Sequence, residues 1–223
     1  MADSAPPVIA IDGPSASGKG TVSQAVAERL GFHYLDSGAL YRVTGLAAVD
    51  AGVALDDARG LAALVAGLEI HFDAGTIRLS GRDVTEAIRE ERISDAASRV
   101  AAVPVVRDGL LSRQRAWRKP PGLVADGRDM GTVVFPDATL RVYLTASPEA
   151  RAERRYKQLI GKGMSASIAT LLRDIRERDV RDTGRSVAPL AEGTGATVLD
   201  TTCMSVEAAV EEVIRRYNAR SRS

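Results

Sequence analysis

Val8-Ile9-Ala10-Ile11-Asp12-Gly13-Pro14-Ser15-Ala16-Ser17-Gly18-Lys19-Gly20-Thr21 passes from an apolar run, through a turn bounded by glycines, into a helical pattern. The run Val8 to Asp12 stops at Gly13-Pro14 and reads as a buried strand. From Gly18 to Leu30 the apolar residues Val22, Ala25, Val26 and Leu30 recur at helical spacing, and Gly31 supplies a C-terminal stop. A strand, then two glycines and a lysine at this spacing, then a helix, is the setting a phosphate-binding loop requires. Its backbone N–H groups close around a phosphate, and the helix N-terminus adds the positive end of its dipole. Lys19 supplies a point charge for the terminal phosphates. Gly13, Pro14, Ser15, Ala16, Ser17, Gly18, Lys19, Gly20 and Thr21 are therefore the predicted ATP site. The position after the lysine, where such loops carry Ser or Thr to reach Mg²⁺, is Gly20 here; Thr21 is the nearest hydroxyl. GTPases read guanine with Asn-Lys-x-Asp, and the sole asparagine, Asn218, lies in the last helical segment.

Outward from this loop the chain alternates strands and helices. Leu123 to Asp126 and Leu140 to Leu144 read as buried strands, and Phe32 to Leu35 and Thr197 to Asp200 as a second and a last short strand. Helical patterns cover Gly38 to Ala51, Asp57 to Ala66, Ile93 to Ala101, Val105 to Arg118 (ended by Pro120-Pro121), a helix opened by Ser147-Pro148-Glu149, Ile168 to about Asp182, and Glu207 to Tyr217 with a frayed basic tail. Ile160 to Ser167 is a Gly- and Ser-containing break. Between about 66 and 92, three segments alternate apolar with polar residues and are punctuated by Asp73-Ala74-Gly75 and Ser80-Gly81, which predicts a small antiparallel meander. The class is α/β: a doubly wound, mostly parallel sheet with helices on both faces and a small antiparallel β insert.

Three further segments carry chemistry. Asp36-Ser37-Gly38-Ala39-Leu40-Tyr41-Arg42 follows the second strand, at the strand ends where doubly wound sheets bind ligands. Asp36-Ser37 alone would be a helix cap; Tyr41 and Arg42 on the same turn, with Ser37, suit an anionic acceptor. Asp126-Gly127-Arg128-Asp129 sets two carboxylates around one arginine after another strand. Glu177 to Arg185 is dense in charge, with Arg154 and Arg155 one helix earlier. Such a run is commonly a solvated face, but beside a phosphate loop it supplies the positioned arginines that phosphoryl transfer uses.

The 223 residues fit one ordinary domain with insertions, and 45% hydrophobic residues suffice for a core. A net charge of +1 gives no push toward nucleic acid or a membrane surface. One cysteine, Cys203, permits no intrachain disulfide and suits a reducing compartment. Cys203, His33 and His71 lack metal-ligand spacing. Met1 to Pro7 does not read as a signal peptide, and no apolar run approaches the ~18 residues of a membrane span. A cytoplasmic protein is expected.

The assembled segments resemble the bacterial cytidylate kinases, the (d)CMP kinases of the P-loop nucleoside monophosphate kinase group. The resemblance runs nearly end to end. It is carried by Ile11-Asp12-Gly13-Pro14, Gly18-Lys19-Gly20-Thr21, Asp36-Ser37-Gly38-Ala39 with Tyr41-Arg42, and Ala97-Ser98-Arg99-Val100-Ala101. The most specific block is Asp126 to Asp137; Arg178-Asp179, Arg181-Asp182 and Val187-Ala188-Pro189-Leu190 complete it. The resemblance implies a three-layer P-loop fold in one domain over 1–223, an acceptor-binding insert at 66–92 and a mobile helical lid near 154–166, within a lid region 150–186. It implies transfer of the γ-phosphoryl group of ATP to CMP or dCMP by a monomer, with Mg²⁺ carried by the ATP phosphates and water and Thr21 as its candidate protein neighbour. Implied around the cytosine are Ser98, Arg107 and Asp129; near the sugar, Arg178 and Asp182; near the acceptor phosphate, Ser37, Arg42, Arg128 and Arg185, with Tyr41 and Gly127 alongside. Lys19, Arg128, Arg154, Arg155, Arg178 and Arg185 are the implied catalytic charges. Related kinases of uridylate, shikimate or dephospho-coenzyme A, and a nucleotide-binding regulatory module, are the alternative readings.

Overall fold

The computed structural model describes residues 5–73, 75–161, 163–185 and 187–221. In chain order it contains β1 (Val8–Asp12), α1 (Lys19–Leu30), β2 (His33–Asp36), α2 (Ser37–Asp50), α3 (Ala58–Ala66), β3 (Ile70–Asp73), β4 (Thr76–Leu79), β5 (Arg82–Asp83), α4 (Glu91–Val100), α5 (Pro104–Arg115), β6 (Leu123–Gly127), β7 (Leu140–Thr145), α6 (Pro148–Gly161), α7 (Ile168–Thr183), β8 (Thr197–Asp200) and α8 (Val206–Arg220). They divide between two compact units, Met1–Leu35 with Trp117–Ser223, and Asp36–Ala116.

In the first unit β1 is buried at every position, as an unbroken apolar run demands of a strand covered on both faces. It is the middle of a five-stranded sheet ordered β2-β6-β1-β7-β8. β1 pairs in parallel with β6 and β7, and β7 in parallel with β8, so Asp12 lies in register between Gly127 and Tyr143. Ile9, Ile11, Val124, Val142 and Leu144 of the sheet pack with Val22 and Val26 of α1 and Val210 and Val213 of α8. The strand-then-helix reading of Val8 to Leu30 is borne out, with Gly31 left-handed at φ 64° beyond the helix end.

In the second unit β3, β4 and β5 form the expected antiparallel meander, registered Ile70↔Leu79 and Phe72↔Ile77. Those four apolar side chains pack with Ala39, Val43 and Leu46 of α2 and with Val84, Ile88 and Ile93. His71, Asp73 and Arg78 alternate to solvent. α2 and α4 cross closely at Gly45, where a Cβ would stand 2.9 Å from the Ala97 nitrogen and 3.2 Å from the Ala96 carbonyl carbon.

Some predicted boundaries move. α5 ends at Arg115 rather than Arg118, short of a Pro120 that disfavours helix in the residue before it. α6 continues to Gly161 into the predicted break, and α8 continues to Arg220, so residues 218–220 of the predicted frayed tail are helical. Ala74 of the meander segment, Lys162 and Ser186 of the 150–186 segment, and residues 1–4 and 222–223 lie outside the described residues. Among the described residues no helix is long and apolar enough to cross a membrane.

Gly45→Ala is expected to destabilise the protein by about 1–3 kcal/mol, despite the roughly 1 kcal/mol that alanine gains in helix propensity. Gly67→Ala, where a Cβ would be 3.8 Å from its nearest neighbours, should change stability by less than about 0.5 kcal/mol. Urea unfolding of the two variants checks the contrast.

Candidate active site

The turn between β1 and α1 takes its shape from close approaches and left-handed backbone. A Cβ on Gly13 would stand 2.0 Å from the Leu144 carbonyl oxygen of β7, so only glycine lets the strands run this near. Ala16 at φ 58° and Gly18 at φ 92° are both left-handed. Successive carbonyls of the loop meet donors. Lys19 Nζ donates to Pro14 O at 3.2 Å, Arg151 Nη1 to Ser15 O at 3.2 Å, Arg154 Nη1 to Ser17 O at 3.0 Å, and Val22 N to Gly18 O at 3.1 Å. Lys19, only 9% exposed, lies along the loop it ends. Beside Gly20, Tyr34 Oη donates to Asp126 Oδ2 at 2.8 Å; a Cβ on Gly20 would be 3.4 Å from that oxygen. Thr21 is exposed on the first turn of α1.

β6 delivers Gly127, Arg128 and Asp129 into a turn. Val133 and Val134 amides donate to the Asp129 carbonyl and the Phe135 amide to Met130, giving a π-type turn over Met130–Val134. Such turns concentrate at functional sites. Asp129 is buried at 2% exposure. The Asp12 carboxylate caps the turn's first amides, accepting Met130 N on Oδ1 and Gly131 N on Oδ2, each at 2.8 Å. Burial pushes the Asp12 carboxyl up to about 7; the two amides and Arg128 oppose the rise, and the charge of Asp129 adds to it.

α7 resolves the ambiguous charge run. Ile175, Arg178, Asp179 and Asp182 recur at helical spacing and turn inward, whereas Arg173, Arg176, Glu177, Val180 and Arg181 face solvent. Asp182, 1% exposed, accepts Arg128 Nε at 2.8 Å and also pairs with Arg185 Nη2. Burial raises the Asp182 carboxyl, but the charges of Arg128, Arg185 and Arg178 outweigh it and hold the group below the usual range. Four predicted site residues thus converge within one unit. Asp179 grips Arg151 in a fork at 3.0 and 2.5 Å.

α6 separates the two predicted lid arginines. Arg154 is engaged on Ser17 O and on the Thr201 hydroxyl and carbonyl, whereas Arg155 Nη1 donates to Gln158 Oε1 at 2.8 Å. In the second unit Asp36 caps α2 by accepting Ala39 N at 3.0 Å, and Ser37 is buried on the first turn. The Arg107 guanidinium lies 5.7 Å from the centre of the Tyr41 ring and donates to Ala101 O. Ser98 is 4% exposed, and its Oγ has no hydrogen-bond partner among the described residues. Arg42 is half-buried on α2.

Sequence reasoning gave no role to Asp12, Arg151 or Thr201, and singled out Asp126 only as one of two carboxylates beside Arg128. Asp12 and Asp126 end buried strands, where a carboxylate is costly unless employed, and that signal was available. Arg151 and Thr201 carried none, because their partners lie 136 and 184 residues away in the chain.

The Asp12 carboxyl, raised in the folded chain, stabilises the fold most below about pH 4, and that contribution is lost as pH climbs through about 7. Asp12→Asn carries no charge at any pH. The melting temperature of Asp12→Asn minus that of the natural protein should therefore shift in the variant's favour by several degrees from pH 5 to pH 8. Thermal melts across that range check it.

The profile of the Cytidylate kinase family matches residues 9–219. A cytidylate kinase from Paraburkholderia phymatum is 59% identical over 96% of this chain and 93% of its own. One from Bordetella bronchiseptica is 56% identical, covering 96% of each. Among solved structures, a gluconokinase from Sinorhizobium meliloti 1021 aligns over 96% of this chain and 93% of its own, at 17% identity and a TM-score of 0.48. A match spanning the phosphate loop, the turn after β6 and α7, joined to relatives this similar over nearly their whole length, leaves one conclusion: this chain belongs to the cytidylate kinase family.

Proposed function

We propose that the chain transfers the γ-phosphoryl group of ATP to CMP and dCMP, giving CDP or dCDP and ADP. Family membership over residues 9–219 is the observation that carries this reading. ATP lies with its phosphates on the amides of Gly13 to Gly20, and Lys19 lifts from Pro14 O to the β/γ oxygens. Mg²⁺ fits the donor set. Gly20 offers no hydroxyl, but the Asp126 carboxylate stands beside it, and Thr21 is next on the helix. Asp126 and Thr21 would hold the ion's water ligands, and the ion, when bound, would supply charge neutralisation for phosphoryl transfer.

The acceptor oxygen of CMP is already a nucleophile, so alignment and charge, rather than a strong base, do the work. Arg128, Arg155, Arg178 and Arg185 are the proposed phosphate and sugar contacts, with Asp182 beside the sugar and Ser37, Tyr41 and Arg42 on the acceptor phosphate. Arg154, engaged on Ser17 and Thr201, acts by shaping the loop. Asp129 reads the cytosine amino group, Arg107 the ring carbonyl, and the buried Ser98 hydroxyl adds a further contact. The hairpin of α6 and α7 serves as the lid, moving beyond the anchored Arg154. The 66–92 segment serves the acceptor, and the enzyme works as a cytoplasmic monomer.

ADP release from MgATP with CMP, dCMP, UMP, shikimate and dephospho-coenzyme A in turn tests the assignment. CMP and dCMP should turn over far faster than the rest, and equal or absent turnover would end it. Lys19→Ala should retain its fold by circular dichroism and lose turnover by about 10³-fold or more. A carboxylate facing a carbonyl in place of an amino group is left unsatisfied, and such sites discriminate by factors of roughly 10⁴. Asp129→Ala should therefore lower kcat/KM for CMP far more than for UMP; equal losses would make Asp129 a structural partner of its turn.

A further inference from the structure

We infer that Asp12, at the end of the phosphate-loop strand, is a positioning residue for acceptor recognition: its carboxylate holds the turn that presents Arg128 and Asp129. This rests on the reading of Asp129 as the base-reading group.

The geometry is specific. Asp12 Oδ1 and Oδ2 accept the Met130 and Gly131 amides at 2.8 Å each, from a side chain 6% exposed. These are the first amides of the π-type turn, which no earlier carbonyl of the turn can satisfy. Asp129 is the residue immediately before them, so the clamp fixes the direction in which that carboxylate leaves the backbone. The bonds from Val133, Val134 and Phe135 lie within the turn; Asp12 ties it to the central strand. Because Asp12 precedes Gly13, one strand end anchors both the phosphate loop and the acceptor turn.

A simpler fold-holding role would be served by an uncharged side chain, since a buried carboxylate is costly to keep ionised. A carboxylate is needed to accept two amides on two oxygens. Protonation converts one oxygen to a donor and releases one amide, and this happens near neutrality. The charges acting on Asp12 are those of Asp129 and Arg128. Of the other elements packed on β1, β6 carries Asp126, β7 carries Tyr143 at the register position of Asp12, and α1 begins with Lys19.

The test compares the full-length natural protein with Asp12→Asn, whose side chain accepts one amide and opposes the other. KM for CMP should rise roughly tenfold and the CMP-to-UMP ratio of kcat/KM should fall, with KM for ATP within about twofold. In the natural enzyme kcat/KM for CMP should fall below pH 7 more steeply than in Asp12→Asn; the phosphate of CMP titrates in both, so the difference isolates Asp12. Equal losses for CMP and UMP with unchanged KM, or superimposable pH profiles, would overturn the inference. Independently of folding in the variant or of which acceptor is used, the backbone amide resonances of Met130 and Gly131 in the natural protein should titrate together with a midpoint near 7. Flat resonances between pH 5.5 and 8.5 would also overturn it. If the natural enzyme shows no turnover with CMP while these amides titrate, the assignment of the acceptor fails and the clamp stands.

Discussion

A loop that offers its amides to phosphate must turn its carbonyls the other way, and those carbonyls need donors. That requirement organises the first unit. The carbonyls of Pro14, Ser15, Ser17 and Gly18 are met by Lys19, Arg151, Arg154 and the Val22 amide. Two of these donors come from α6, so the helix after β7 is as much a part of the phosphate loop as α1 is. A buried arginine needs its own counter-charge, and Asp179 of α7 supplies it to Arg151. The chain of obligations therefore runs from the loop through α6 to α7. The arginines of α7 are placed by the same packing that places the loop.

This explains why one side of the charge run at Glu177 to Arg185 is turned inward while Glu177 and Arg181 face solvent. Asp179 and Asp182 are three residues apart, on one side of the helix. One holds the arginine that braces the ATP loop; the other holds Arg128 and Arg185 on the predicted acceptor side. Arg154 and Arg155 are neighbours in sequence but point to different work, because consecutive positions on a helix diverge by about 100°. Arg154 braces the loop, whereas Arg155 reaches along its own helix.

The central strands, the phosphate loop and the meander were legible because each depends on local pattern: apolar runs, glycine spacing, period-two alternation. β1, α1 and the alternation of Ile70, Phe72, Ile77 and Leu79 come out as read. What was not legible depends on distant partners. Asp12 looks like the polar edge of a strand, and its role appears only when residues 118 and 119 positions away close over it. The π-type turn after Asp129 leaves no composition signature, because its amides are satisfied from another strand. The division of Arg154 from Arg155 needed the helix phase and the position of Thr201.

Three arginines, Arg128, Arg178 and Arg185, act on the one buried carboxylate of Asp182. Three guanidinium groups so close would repel one another and spread apart without a shared anion. Asp182 holds them together before any phosphate arrives, and the depressed proton affinity of its carboxyl is the measure of that attraction. Charged groups gathered in advance cost no reorganisation when charge develops beside them. A buried ion cluster adds little to stability, and this one lies on a helix whose outer face leaves Val180 71% exposed. The inner face of that helix buries Ile175 together with Asp182, so apolar packing and the ion cluster fix its phase jointly.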